Sequence, residues 1–232
     1  MIELSPAERT ALETLEERER PVRRGGTLVR ENDAEHELFI LRTGTMMSYV
    51  LLDDSSRKIL RFLFPGDMLA ISSLVYRDAP ETIEALSDAT VSAFERSAIA
   101  RLLVEHPRLA ALIFVHNQIE RTAMTDRLAA LGRTSAKSRV AALLLEIRNR
   151  KRMRDPAIGD SFALGLTQED LGDATGLTAV HVNRMLRQLE DERLIARDNG
   201  HVTIRDERAL ARIGNFVDRH RNLDLSWLPP AR

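Results

Sequence analysis

The chain has no cysteine, which excludes disulfides, thiolate-held iron–sulfur clusters and cysteine nucleophiles at once. No apolar run approaches the ~18 residues of a membrane span. The acidic, helical start from Ser5 to Glu19 does not read as a signal peptide, so a cytoplasmic location and no membrane partner are expected. Enzyme motifs are missing too: there is no Walker loop, no G-x-S-x-G and no dinucleotide-binding glycine fingerprint. The six histidines (His36, His106, His116, His181, His201 and His220) form no close pair of the kind a cupin-like metal site prefers. Asp53 and Asp54 sit together in a turn, where solvent is the expected neighbour. A cupin-like enzyme with a helical appendage is therefore a distant alternative, and no metal and no catalytic residue are assigned. Net charge is −1, with 44% hydrophobic and 30% charged residues in 232, which suits a soluble chain of two modest domains.

What is present is concentrated near the C-terminus. Thr167 to Leu189 reads as two short helices joined by a tight turn. Thr167 can cap the first helix, with Asp170 three residues on adding negative charge at its positive end. Gln168 stands at the helix entrance and points outward. Leu171 and Ala174 share a face, Gly176 can take the left-handed backbone that stops a helix, and Leu177 plugs the corner. Thr178 repeats the cap. In the second helix Val182, Met185, Leu186 and Leu189 form an apolar stripe at i, i+3, i+4 and i+7. At about 100° per residue, Val180, Arg184 and Arg187 lie nearly opposite, flanked by His181 and Asn183. Arginine can bind guanine through two hydrogen bonds, asparagine can pair with adenine, and an apolar side chain can touch a thymine methyl. An αα-hairpin with a solvated face has the same outline. The segment that follows disfavours it: Asn199-Gly200 is a type I′ hairpin signal and His201–Ile204 alternates like a strand. A helix-turn-helix followed by a β-hairpin is a winged helix, and its expected partner is double-stranded DNA.

Charge distribution supports that expectation. Between Arg133 and Arg154 lie Arg133, Lys137, Arg139, Arg148, Arg150, Lys151, Arg152 and Arg154 against Glu146 alone, a local +7 (eight minus one). Such a run just before the helix-turn-helix suggests proximity to phosphates, the alternative being a solvated helix end and loop.

From Pro21 to Phe94 the pattern is short strands: Thr27–Arg30, Glu37–Leu41, Met46–Leu52, Lys58–Phe64, Thr82–Ala85 and Val91–Phe94. Turn residues such as Asn32-Asp33 and Pro65-Gly66-Asp67 separate them, predicting a sandwich or jelly roll. His106-Pro107 then opens a long helix to about Leu131. Leu109, Leu112, His116, Ile119 and Ala123 fall at coiled-coil spacing and are expected to form a dimer seam, the alternative being a helix packed on its own domain; His116 is expected to set the register as a polar residue rather than to act as a pH-sensitive group or heme ligand. A second helix, Ser135 to Arg150, carries Val140, Leu143, Leu144 and Ile147 on one face. Gly132-Arg133-Thr134 reads as the hinge between the two helices. The tail, Asn215 to Arg232, is expected to pack on the winged domain through Phe216 and Trp227, with disorder as the alternative.

This order resembles the CRP/FNR family of bacterial transcription regulators over about Gly25 to Ile213. The most specific piece, Leu166–Leu189, is very similar to the helix-turn-helices of FNR-like regulators of the alphaproteobacterial type. LRTG (Leu41–Gly44), FPGD (Phe64–Asp67) and the His106-Pro107 pair are further anchors. The resemblance implies an α+β fold: a cyclic-nucleotide-binding-like β-roll (1–105), a dimerisation helix and hinge (106–132), a winged helix-turn-helix (133–214) and a tail (215–232). It further implies a homodimer on an inverted-repeat operator, in contact with RNA polymerase if an activator. Thr178, Val180, His181, Asn183 and Arg184 occupy the family's DNA-contacting positions, with Thr167, Gln168 and Arg187 beside them. Val180 stands where many relatives carry a glutamate that reads a cytosine amino group, so an altered operator is expected. The effector pocket maps to Gly66, Asp67, Glu81 and Thr82. Glu81 replaces the phosphate-binding arginine of cyclic-nucleotide binders and would repel the anion. Weak or no cAMP binding is expected, and no cofactor: an iron–sulfur cluster lacks its cysteines, while heme stays open without a paired axial-ligand signal. A cyclic-nucleotide-type module acting through a protein partner is the alternative function.

Overall fold

The computed structural model describes residues 4–15, 18–219 and 223–230; of the expected 215–232 tail, residues 220–222, His220 among them, and 231–232 lie outside these. The N-terminal half is two antiparallel four-stranded sheets face to face. One has the order β1 (Glu19–Val22), β8 (Ala89–Glu95), β3 (Glu37–Thr43), β6 (Met68–Leu69). The other runs β2 (Thr27–Val29), β7 (Thr82–Ala85), β4 (Met46–Leu51), β5 (Arg57–Leu63). Apart from the β4–β5 hairpin, which stays within one sheet, sequential strands alternate between sheets, giving the expected roll. Its interior is filled by Phe39, Leu41, Met46, Leu63, Leu69, Ile83 and Val91, all almost fully buried. Sequence patterning did not reveal β1, an exposed edge strand carrying Pro21, or the two-residue β6.

Helix α1 (Pro6–Leu15), helix α2 (Arg96–Glu105) and the start of α3 (Pro107–Arg133) cover the outer face of the β1-β8-β3-β6 sheet. Leu15, Leu38, Ile40, Phe94, Ile99, Leu102 and Leu109 make one apolar cluster there. Buried Glu8 of α1 meets Arg108 at 2.6 Å. Burial alone would raise the Glu8 pKa, but the Ser5 N–H and Arg108 hold it below the ordinary value.

Proline at the first position of α3 fixes φ where no helical N–H is needed. With 27 residues the helix extends roughly 40 Å. Its faces require a correction to the expected seam. Leu109 is buried and Leu112 packs in the cluster just described, while His116 turns toward the charged groups Asp67, Glu120, Arg61 and Arg150. Ile119 and Ala123 line a cavity shared with the C-terminal tail. The start of that stripe is committed within the chain, because apolar residues bordering the roll gain more by burial there than by waiting for a partner, while Ile119 and Ala123 stay half-exposed. The outward apolar residues are Phe114, Met124, Leu128 and Leu131. With Ala110, Asn117 and Arg121 they occupy alternating steps of four and three, a heptad-spaced stripe one face away.

The C-terminal half comprises α4 (Ala136–Arg154), β9 (Ser161–Ala163), α5 (Gln168–Thr175), α6 (Ala179–Asp191), β10 (Ile195–Asp198), β11 (His201–Ile204) and α7 (Glu207–Gly214). The sheet order is β10-β11-β9, so the wing has a third strand. Asn199 and Gly200 take positive φ in the β10–β11 turn, at 46° and 79°, as a type I′ turn requires. The largest apolar cluster does not respect the boundary between the halves. Met47, Ile59, Phe62 and Phe64 of the roll share it with Leu144, Leu171, Val182, Leu186 and Leu189. The winged domain is therefore docked against the β4–β5 face.

Candidate nucleic-acid interface

Two caps and two glycines build the helix-turn-helix. Thr167 Oγ1 accepts the Asp170 N–H at 3.1 Å while Asp170 Oδ2 accepts the Thr167 N–H at 2.9 Å. This reciprocal pair satisfies two otherwise orphaned donors at the start of α5. Gly176 ends α5 with φ 70° and ψ 43°, the left-handed cap that only glycine takes without strain. Thr178 Oγ1 accepts the His181 N–H at 3.3 Å and starts α6. A Cβ at Gly172 would lie 2.4 Å from the Leu177 carbonyl oxygen. Gly172 thus allows the turn to fold back on its own helix, a requirement that patterning alone does not expose.

On α6, Val182, Met185, Leu186 and Leu189 are buried, whereas Val180 is 82% exposed. Thr178, Arg184 and Arg187 are exposed, and His181 and Asn183 are half-buried. Arg184 Nη2 lies 3.0 Å from His181 Nε2. These six side chains are brought to one end and one side of α6. Thr167 and Gln168 are exposed at the N-terminus of α5, where unpaired N–H groups and the helix dipole favour an anion. The assembled surface offers guanidinium, amide, imidazole and methyl groups to a groove, and backbone donors to its edge.

The basic run before the helix-turn-helix is differently employed from the phosphate stripe that its charge suggested. Arg148 is fully buried against Glu207 at 2.9 Å. Arg150 is enclosed among carboxylates. Lys137 pairs with Glu192 at 2.7 Å. Lys151 donates to the Ala163 carbonyl, and Arg152 to those of Ile158 and Gly159. The run mainly ties α4 to the wing and roll.

The roll contacts the same domain through the β4–β5 hairpin. Arg57 Nε reaches Asp173 Oδ2 at 2.8 Å and its Nη2 reaches Asp170 Oδ1 at 2.9 Å. Lys58 Nζ donates to the Ala174 carbonyl at 3.0 Å. These ties were not visible in the sequence, since 113 residues or more separate the partners.

The four expected effector residues are each engaged inside the fold. Gly66 and Asp67 form the turn before β6, where Asp67 Oδ2 accepts the Phe64 N–H at 2.9 Å. Thr82 Oγ1 accepts the Glu31 N–H at 3.0 Å. Glu81 pairs with Arg61 at 2.9 Å. Arg61 also faces Glu120 of α3 at 3.7 Å, Glu120 pairs with Arg150 of α4, and Arg150 meets Asp67 at 2.5 Å. A chain of ion pairs, Glu81–Arg61–Glu120–Arg150–Asp67, thus crosses from the roll through the long helix to the winged domain. Burial would raise the Glu120 pKa, but the Arg150 charge and hydrogen bond, with His116 and Arg61, hold it below the ordinary carboxylate value. Burial pushes His116 beside it down, only partly opposed by Glu120 and Asp67. As a phosphate cradle the set fits poorly: it offers two carboxylates, and both arginines are already paired.

Of the tail, Phe216 packs on the winged-domain cluster. Trp227 instead borders a cavity between α3 and α4 and is 55% exposed. Arg219 joins Asp126 of α3 through two hydrogen bonds, 2.6 and 2.8 Å.

Comparison with known proteins agrees with this architecture. Residues 138–213 match the Crp-like helix-turn-helix domain, and residues 19–106 match the cyclic nucleotide-binding domain. The fumarate and nitrate reduction regulatory protein of Escherichia coli is 25% identical over 214 residues, covering 92% of this chain and 85% of that protein. The anaerobic regulatory protein of Haemophilus influenzae is 24% identical over 88% of this chain and 79% of its own length. The solved structure of FixK2 from Bradyrhizobium japonicum superposes with a TM-score of 0.75 at 26% identity, covering 84% of this chain and 96% of that one. With a roll, a long helix and a Crp-like helix-turn-helix in this order, the chain belongs to the CRP/FNR family of transcription regulators.

Proposed function

We propose that the protein binds an inverted-repeat operator as a homodimer, with one α6 in the major groove of each half-site, and acts in the cytoplasm as a regulator rather than an enzyme. The observation that carries the reading is the division of α6 into a buried apolar stripe and an outward face of Val180, Arg184 and Arg187, flanked by His181 and Asn183. Arg184 and Asn183 read base edges, Val180 meets a methyl, and Thr167, Gln168, Thr178 and Arg187 face phosphates. The subunits join through Phe114, Met124, Leu128 and Leu131. The effector is something other than a cyclic nucleotide, or there is none, because Glu81 and Asp67 present carboxylates where a phosphate would sit. As an activator the dimer would also contact RNA polymerase.

Selection of bound sequences from a random DNA pool, followed by titration on the winner, tests this. Arg184→Ala should cost about 1–3 kcal/mol on the selected site and little on nonspecific DNA. Val180→Glu should shift the preferred base pair toward one presenting a cytosine amino group. Equal loss on every sequence would reduce Arg184 to a phosphate contact, and failure to enrich any palindrome would sink the dimeric reading.

A further inference from the structure

Helix α5 carries three carboxylates, Glu169, Asp170 and Asp173, and no cation. Its N-terminal end, where Thr167 and Gln168 are exposed, is the edge that faces phosphates in the proposed complex. Asp173 follows Thr167 by six residues, roughly 9 Å along the helix axis. That is inside the Debye length of about 10 Å at 0.1 M salt. Left bare, these carboxylates would set a negative field beside a polyanion.

The opposing charge comes from the roll. Arg57, the first residue of β5, donates from Nε to Asp173 Oδ2 at 2.8 Å and from Nη2 to Asp170 Oδ1 at 2.9 Å. One guanidinium thus spans two carboxylates a single helical turn apart. Asp170 keeps its other oxygen for the α5 cap, while Asp173 has no second ion pair among the described residues. Arg57 is also steadied from its own side. Its Cζ lies 5.7 Å from the centre of the Tyr49 ring on β4, and the Tyr49 hydroxyl donates to Glu84 Oε2 of β7 at 3.1 Å. Three neighbouring strands of one sheet therefore fix where the guanidinium meets α5. Lys58, the next residue, holds the other end of the helix through the Ala174 carbonyl.

We infer that Arg57 is a positioning residue for DNA binding: from the roll it cancels the charge of Asp170 and Asp173 and holds the α5 entrance toward phosphates, without touching DNA itself. The inference rests on the proposed reading in which α5 and α6 face the duplex. It makes the docked winged domain the tighter-binding form, because undocking strips α5 of its counter-charge. It also gives β5 a second role. The same strand carries Arg61, paired with Glu81 at 2.9 Å, so it runs from the expected effector residues to the helix entrance. A shift of β5 at Glu81 moves the charge that the helix-turn-helix depends on.

Anisotropy titrations of the full-length protein test this on two labelled duplexes of equal length, a selected operator and a random sequence, over a salt series. Phosphates are common to both duplexes. Arg57→Gln should therefore weaken each about threefold near 0.1 M salt, the effect of one uncancelled charge at this range. Asp173→Asn alone should leave affinity nearly unchanged, and added to Arg57→Gln it should recover most of the loss. The salt slope should fall by well under one, since no phosphate contact is removed. Melting and sedimentation should match the wild-type chain, because partly exposed ion pairs add little stability. Wild-type affinity in Arg57→Gln would overturn the inference, as would a double variant no tighter than Arg57→Gln. A slope lower by about one would make Arg57 a direct phosphate contact instead. Failure to select any operator sinks the dimeric reading alone, because the random duplex still reports on Arg57.

Discussion

Replacing Arg150 with methionine should separate the two halves energetically. The Arg150 guanidinium joins Glu120 of α3 and Asp67 of the roll, and sits 5.9 Å from the Phe64 ring centre. The side chains of Arg150, Glu120 and Asp67 are each only 12% exposed. Methionine has a comparable stem and fills much of the space, so the main loss is the charge. Removing one member of such a buried set costs about 3–5 kcal/mol, because the remaining charge is stranded rather than because the pair was strongly favourable. Arg61 still faces Glu120 at 3.7 Å, which puts the expectation near the lower end, about 3 kcal/mol. That is a large share of the ~5–15 kcal/mol that holds a domain folded. Urea denaturation at pH 7, followed by circular dichroism and Trp227 fluorescence, measures it. If stranded charge is the cause, adding Glu120→Gln and Asp67→Asn to Arg150→Met should recover most of the loss, since an apolar or neutral replacement of the whole set is close to neutral. A loss below about 1 kcal/mol for Arg150→Met, or no recovery in the triple variant, refutes the reasoning.

Gly172→Ala gains about 1 kcal/mol of helix propensity but sets a methyl 2.4 Å from the Leu177 carbonyl, an overlap worth roughly 1–3 kcal/mol. The melting temperature should fall, and an unchanged or higher value would show that the turn can relax. Met124→Glu with Leu128→Glu puts two carboxylates into the proposed seam; sedimentation should show monomers with the fold retained, while Leu109 variants should lose stability instead. The His116 pKa is lowered from 6.5 by burial, with Glu120 and Asp67 opposing and Arg150 and Arg61 reinforcing. Between its folded value and 6.5 the unfolded chain therefore binds more protons, so stability falls as pH drops through that window, by at most ~1.4 kcal/mol per pH unit for one site. His116→Leu should flatten this slope in a series of melts from pH 7 downward, whereas an unchanged slope assigns it to other groups.

The sequence made local structure readable wherever the signal was short in range. Thr167, Gly176, Thr178 and Asn199-Gly200 are caps and turns whose geometry depends on neighbours within four residues, and each takes that geometry. The α6 stripe is legible because one face is wholly apolar and the other is not. The α3 stripe misled because period alone says that a face will be buried, not against what. Leu109, Leu112 and His116 have seam spacing, yet the roll reaches them first. The basic run misled for a related reason. Arg148 and Arg150 look like solvated charges until Glu207, Glu120 and Asp67, 30 to 83 residues away, are brought beside them. Long-range charge pairing leaves no periodic trace in a single sequence. Gly172 is a third kind of case, since its function is to leave space for a carbonyl rather than to contribute a group.

Two kinds of tie join the roll to the winged domain, and they do different work. The apolar cluster from Met47, Ile59, Phe62 and Phe64 into α4, α5 and α6 is non-directional and supplies most of the attraction. It would tolerate small shifts of one half over the other. The ion pairs would not. Asp170 is held at once by the N-terminal cap of α5, through Thr167, and by Arg57 of the β4–β5 hairpin. A displacement of that hairpin therefore acts directly on the helix entrance that presents Thr167 and Gln168. Arg150 does the same for α4, through Asp67 and Glu120. Breaking the Arg57 pairs alone should leave the halves associated but free to slide, because these partly exposed pairs contribute little to stability while fixing register. The entrance of α5 is thus held by Arg57, a residue of the roll outside both the expected DNA-contacting set and the expected effector set.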